Sequence, residues 1–226
     1  MTLRTALTVL AFCAVAASGC SSTDQDTAGK DTTAVEKAAQ TPVNKKDYRH
    51  PVRDKDNPLV TLETDFGGMT LELYRDVAPA HVDSFIARVR DGFYSGTIFH
   101  RVYKGFLIQG GNPVPVGKKQ VSYSLGDELS DLPHQEGTLS MARMRTPNSA
   151  KTQFFICLAR NTSTAWLDRK YTNFGQLIKG YDVLHAIADV PVGPSRWLPN
   201  EVSQPITDVR LIRAYLSDVE GNPLGE

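Results

Sequence analysis

FHRVYKGFLIQGG, residues 99–111, sets an arginine and a glutamine into a run built otherwise mainly of aromatic and aliphatic residues. Side chains alternate across a β-strand, so Leu107 and Gln109 share one face of this run. A second run, QFFICL at residues 153–158, repeats the pattern. Gln153, Phe155 and Cys157 fall on one face, and Phe154, Ile156 and Leu158 on the other. Two separate strands thus each bring a glutamine beside large apolar side chains. Taken singly, Arg101 and the two amides read as hydrogen-bonded structural groups at a barrel rim, because buried polar groups are normally satisfied.

Outward from this stretch, strand-like runs dominate. LVTLE, the turn-forming DFGG and MTLELY predict a β-hairpin that opens the ordered domain near Leu59. In APAHVDSFIARVRDGFY, Pro79 suits a first helical turn, and Val82, Phe85, Ile86 and Val89 recur at helical spacing until Gly92. TIFHRV, GFLIQGG, GTLSMA, QFFICL and TNFGQLI follow as short strands, a second helix is expected over Tyr181 to Ala188, and DVRLIRAYL reads as a closing strand. Strands outnumber helices and do not alternate with them, which favours an antiparallel barrel carrying a few helices over a parallel sheet.

The 226-residue chain is long enough for one substantial domain with flanking segments. It carries 25 basic and 25 acidic side chains, so no global basic field draws nucleic acid or anionic lipid. Residues 1–19 hold Arg4, the apolar run ALTVLAFCAVAA and small residues leading to Cys20, the grammar of an export signal. The apolar run is shorter than the roughly 20 residues that span a bilayer. Ala17-Ser18-Gly19-Cys20 resembles a bacterial lipobox, with Cys20 as the lipidated N-terminus and the membrane reached by that anchor alone. The alternative is a secretory peptide cut after Ala14-Val15-Ala16, leaving a soluble periplasmic protein. Either way the domain is expected outside the cytoplasm, in the cell envelope or facing the exterior. Residues 20–57, rich in Ser, Thr, Asp, Lys, Gln and Ala, read as a disordered tether. Cys157 is then left alone, expected as an inert buried thiol with no disulfide partner.

The histidines at 50, 81, 100, 134 and 185 are scattered, so no metal site is expected, and no cofactor motif is present. No G-x-S-x-G elbow occurs, and Gly110-Gly111 lacks the setting of a phosphate loop. A secreted hydrolase would need a nucleophile and base to which nothing specific points.

In order, FHRVYKGFLIQGG, GTLSMAR, PNSAKTQFFICL and WLDRKYTNFGQL resemble the cyclophilin family of peptidyl-prolyl cis/trans isomerases. The similarity runs over roughly residues 59 to 216, beginning with DFGGMTLELYRDVAPAHVDSF. The resemblance implies a mainly β fold, a closed eight-stranded antiparallel barrel capped by two α-helices, occupying residues 58–218 before a tail at 219–226. It implies Arg101 as the catalytic guanidinium and Gln109 as the amide that orients the substrate. Phe106 and Leu107 would be pocket walls, Ala142 and Arg143 the strand that pairs with bound peptide, and Gln153 and Phe155 further site residues. Trp166 and Leu167 would form the pocket edge, with Tyr171 where many members have histidine. Arg143 stands in place of the usual asparagine, Met144 to Thr152 is one residue longer than in many members, and PVPVGKKQVSYSL lacks the common glycine-rich form. The walls facing the residue before proline therefore differ from the family pattern.

X-Pro rotation needs no bond cleavage, only loss of amide resonance against a barrier of roughly 18–20 kcal/mol. The implied enzyme needs no metal or cofactor. Its expected partners are flexible proline-containing polypeptides, and a cyclosporin-type inhibitor at the pocket; a monomer is expected. The alternative is a non-catalytic module of the cell envelope that grips proline-containing segments as a chaperone.

Overall fold

A computed structural model describes residues 55–225. The expected export signal, Cys20 and nearly all of the tether lie outside the described residues. The opening hairpin is β1 (Leu59–Thr64) and β2 (Gly67–Leu73), joined through Asp65-Phe66 and paired from Leu59↔Glu72 to Thr64↔Gly67. Helix α1 follows at Pro79–Arg90 with proline in its first turn, where a missing N–H costs nothing. It buries Val82, Phe85, Ile86 and Val89, the spacing read from sequence. Short strands β3 (Thr97–Ile98), β4 (Arg101–Tyr103), β5 (Leu107–Gly110), β6 (Thr138–Met141) and β7 (Phe154–Cys157) lead to the one-turn helix α2 (Thr162–Ala165). The chain closes with β8 (Asn173–Lys179), α3 (Tyr181–Ala188), the pair β9 (Val192–Pro194) and β10 (Val202–Pro205), and β11 (Arg210–Leu216).

Nine strands form one antiparallel sheet in the order β3-β11-β1-β2-β8-β6-β7-β5-β4. Its two outermost strands are consecutive in the chain, separated only by Phe99 and His100. The sheet must therefore curl until its edges nearly meet, the barrel-like form expected, with the run TIFHRV crossing the seam rather than forming one strand. Strand and helix counts exceed the expected eight and two because that run splits and α2 adds a single turn. β9 and β10 make a separate two-stranded hairpin.

Alternation in β7 sorts side chains between two apolar clusters. Phe154, Ile156 and Leu158 enter the main core with Val60, Leu71, Phe85, Ile108 and Phe174. Phe85 is its centre, edge-on to Phe154 and Phe174 with ring centroids 5.6 and 5.4 Å away. Phe155 and Cys157 point the other way, into a small cluster with Phe106, Leu107 and Leu167. This second cluster supports the groove described next.

Long loops on either side of β6 shape that groove's rim. The Glu128 carboxylate accepts from the backbone N–H groups of Ala80 and His81, both at 3.0 Å, and sits against His81 Nδ1 at 2.6 Å. An acid thus caps the positive end of α1 from 47 residues away and anchors the loop before β6. Asp127 N–H donates to Asn148 Oδ1 at 2.8 Å, Lys151 Nζ donates to the Val121 carbonyl at 3.1 Å, and Leu125 bridges Ala150. The two irregular segments are therefore tied together. The expected tail also folds back, with Leu224 N–H donating to the Leu216 carbonyl at 2.9 Å.

Candidate active site

The register brings the two polar stretches together. Arg101 pairs with Gln109 across β4 and β5, and Gln109 pairs with Phe155 across β5 and β7. Because directly opposed residues point to the same side of a sheet, the guanidinium, the amide and the phenyl ring share one face. They line a shallow groove, partly open to solvent, together with Phe106, Leu107, Ala142, Arg143, Met144, Arg145, Leu167 and Tyr171. Its floor is apolar, with Phe106, Leu107, Phe155 and Leu167 in one cluster, and Arg101, Gln109, Arg143 and Arg145 supply charged and amide groups to its walls.

Arg101 and Gln109 belong to one hydrogen-bonded chain. Gln109 Nε2 donates to Gln153 Oε1 at 2.9 Å, and Arg101 Nη1 lies 3.3 Å from Gln109 Oε1 as donor. His100 lies beyond Gln153. Burial, and then the charge of Arg101, push His100 down to about 4, with the Ile98 backbone and the Gln153 side chain opposing. The imidazole behind the site is thus neutral near neutral pH. At the other end, Arg101 Nε donates to Glu201 Oε1 at 2.6 Å and Nη2 to Glu201 Oε2 at 2.9 Å. The arginine also lies over the Phe106 ring, its Cζ 6.0 Å from the centroid.

Of the residues singled out in sequence, Arg101, Phe106, Leu107, Gln109, Ala142, Arg143, Phe155, Leu167 and Tyr171 converge on the groove. Gln153 stands just behind it through Gln109. Trp166 is not part of the lining. It ends α2, is 50% exposed, and has Lys170 Nζ 4.1 Å from a ring centroid. Arg143 lines the groove with its donors turned elsewhere: Nε and Nη2 donate to the Lys170 carbonyl, and Nη1 to those of Met144 and Arg145. Its guanidinium also lies 5.0 Å from the Tyr171 centroid and 3.6 Å from the Asp127 carboxylate. Arg143 thus staples the rim loop to the segment after α2.

Sequence reasoning missed Glu201, Met144, Arg145 and a buried Ser-His-Asp arrangement. His134 Nε2 lies 2.9 Å from Ser140 Oγ, and Nδ1 lies 3.1 Å from Asp168 Oδ1. A hydrolase needs its nucleophile at the substrate, but Ser140 is 0% exposed and its hydroxyl donates to the Thr172 carbonyl at 2.7 Å. Burial lowers His134 despite the Asp168 acceptor, and Arg160 holds Asp168 at 2.8 Å. His134 stacks on Phe155 at 6.1 Å, so the triad-like group props up the groove floor. Cys157 lies fully buried beneath the same floor, its thiol pushed up by burial. Among the described residues, no group of three His, Cys, Asp or Glu is placed to hold a metal.

Residues 59–214 match the family described as Cyclophilin type peptidyl-prolyl cis-trans isomerase/CLD. The chain is 39% identical over 154 residues to a peptidyl-prolyl cis-trans isomerase of Acinetobacter baylyi, covering 66% of this chain and 82% of that protein. It is 37% identical over 166 residues to the human peptidyl-prolyl cis-trans isomerase-like 1, covering 71% of this chain and 93% of that one. Among solved structures, the cyclophilin type isomerase of Cryptosporidium parvum, crystallised in the presence of the dipeptide Ala-Pro, superposes with a TM-score of 0.62 at 31% identity, over 71% of this chain and 99% of that chain.

The chain belongs to the cyclophilin-type peptidyl-prolyl cis-trans isomerases. It is a peptidyl-prolyl cis-trans isomerase, an enzyme that accelerates rotation about X-Pro bonds.

Proposed function

We propose that this isomerase assists the folding of exported polypeptides from a lipid anchor at Cys20, and that its turnover is carried by Arg101 above an apolar proline pocket. The observation that carries the catalytic part is the juxtaposition of one guanidinium with Phe106, Leu107, Phe155 and Leu167 in a single groove. Proline-containing peptide is the substrate this groove suits, in keeping with the Ala-Pro present in the Cryptosporidium parvum crystals.

Rotation requires the amide to lose its resonance, and the prolyl nitrogen then regains a lone pair that accepts a hydrogen bond. A donor aimed at that nitrogen binds the twisted form better than either planar form, which is the condition for acceleration. Arginine suits this task because it stays charged and offers five donors in a rigid plane. Glu201 takes two of those protons and Gln109 a third. One proton on Nη1 and one on Nη2 are left for substrate. The apolar walls hold the pyrrolidine ring while the Gln109–Gln153 pair fixes the amide that faces the flanking carbonyl. The side of the peptide before proline is then free to turn.

Lipid attachment is supported by the Ala17-Ser18-Gly19-Cys20 stretch alone. Mass spectrometry of the mature N-terminus tests it: a diacyl or triacyl mass on Cys20 is expected, and an unmodified Ala17 start would end the anchor. Clients are tested by refolding an exported protein whose slow phase is X-Pro isomerisation. Catalytic amounts of the enzyme should accelerate that phase, and an unchanged rate would remove folding assistance.

A further inference from the structure

We infer that Glu201 is a positioning residue for the isomerisation, presenting Arg101 to the prolyl nitrogen from a loop outside the sheet that builds the rest of the site. The inference rests on the proposed role of Arg101. Both oxygens of Glu201 engage Arg101, at 2.6 and 2.9 Å, in the fork-to-fork geometry that fixes a guanidinium plane as well as its place. The two side chains are 12% and 13% exposed, so water competes little for the pair. Glu201 takes the Nε and Nη2 edge, which turns Nη1 toward Gln109 and the groove. Without the carboxylate, the guanidinium keeps one 3.3 Å contact to Gln109 and the arginine's long stem regains its rotamers.

The loop that delivers Glu201 is itself built to hold it. Ser195 Oγ accepts from the backbone N–H groups of Trp197 and Leu198 at 3.2 and 3.1 Å, and Ser195 N–H donates to the Glu201 carbonyl at 2.8 Å. Leu198 is buried, Asn200 turns the chain at φ 69°, and Glu201 N–H donates back to the Leu198 carbonyl. Arg196 N–H is held by Gln204 Oε1 of β10. Each contact limits where the Glu201 backbone can go, which is what a supporting shell must do to fix a catalytic donor. A carboxylate serving only to tether the hairpin would not need to take the guanidinium edge that leaves two donors facing the substrate.

The test is a double-mutant cycle on X-Pro peptide isomerisation, using Glu201→Ala, Glu201→Gln, Arg101→Ala and Arg101→Ala/Glu201→Ala in the full chain. Misplacing a catalytic group by about 1 Å costs up to roughly 10²-fold, so Glu201→Ala should lower kcat about 10-fold with KM within about twofold. Glu201→Gln keeps the volume but faces its amide protons toward the guanidinium, and should lose about as much. In the Arg101→Ala background the second substitution should change kcat/KM less than twofold, because there is no donor left to aim. Binding order is read separately: the Arg101 Nε proton, bonded to Glu201, should give a slowly exchanging NMR signal that Glu201→Ala abolishes. Wild-type kcat in Glu201→Ala with only a lowered Tm would overturn the inference, leaving a hairpin tether. So would an additive tenfold loss in the double variant. A wild type that binds peptide without turnover refutes the isomerase reading instead, and the Nε signal then still decides the ion pair.

Discussion

Replacing His100 by glutamine should flatten the acid side of the stability profile. His100 is buried, next in sequence to Arg101, and its pKa falls to about 4. In the unfolded chain the same imidazole titrates near 6.5. Between those values the unfolded state binds a proton that the folded state refuses, so acid favours unfolding. The contribution of the neutral imidazole is complete above pH 6.5 and is lost as pH falls from there toward 4. Working the linkage between pH 7 and pH 5, His100 alone removes about 2 kcal/mol. For a domain of this size that is a fall in Tm of roughly 4–8 °C. Lowered Asp168 and Glu128 act in the same direction but lower on the scale, since stability from a depressed carboxylate is lost only as pH drops through its folded pKa. Lowered His134 overlaps the His100 window, so the measurement is a difference. Thermal melts of wild type and His100→Gln at steps from pH 7 to pH 5 should converge by about 2 kcal/mol toward acid. His100→Phe, with no proton to bind, should track the glutamine variant. Parallel curves for wild type and both variants would refute the claim that His100 is kept neutral by burial.

Two further substitutions probe the rim and the strand geometry. Arg143→Ala releases charge-assisted bonds to the carbonyls of Lys170, Met144 and Arg145, freeing the loop that borders the groove. Steady-state kinetics should show KM raised about 3- to 10-fold, as expected for loosening of a loop worth about 1 kcal/mol, with kcat little changed. A falling kcat at constant KM would mean that Arg143 acts on the twisted amide itself. Gly111 sits at φ 74°, where an added Cβ would lie 2.5 Å from the Thr152 carbonyl oxygen. Gly111→Ala should cost roughly 3 kcal/mol from left-handed backbone and overpacking together, read by urea denaturation, and near-wild-type stability would contradict the close approach.

What could be read in sequence follows from the range of the forces involved. Alternation is local, so QFFICL foretold that Phe154, Ile156 and Leu158 would part from Phe155 and Cys157, and the two clusters divide there. The spacing of Val82, Phe85, Ile86 and Val89 likewise marked the buried face of α1. Arg101, Gln109 and Gln153 were legible as polar groups in apolar strands, yet their bonding chain depends on strand register. Glu201 was hidden because it lies 100 residues from its partner, in a loop whose hydrophobic pattern has no period. Arg143 was expected on a strand that pairs with peptide, but β6 ends at Met141 and Arg143 stands just past it at the groove, and the direction of two of its donors depends on a carbonyl 27 residues further on. Ser140, His134 and Asp168 met no sequence motif, because a support beneath a floor needs no signature of access.

The central claim is that a guanidinium at Arg101 stabilises the twisted X-Pro amide. Its most direct measurement is kcat/KM for isomerisation of one X-Pro peptide by wild type and by Arg101→Ala, followed by NMR exchange or a protease-coupled assay. Because Arg101→Ala strands the Glu201 carboxylate, Arg101→Ala/Glu201→Ala is measured beside it, with near-ultraviolet circular dichroism to verify the fold. Losing one preorganised electrostatic donor should lower kcat/KM by roughly 10²- to 10³-fold in both variants. A correctly folded variant within a few-fold of wild type would contradict the account.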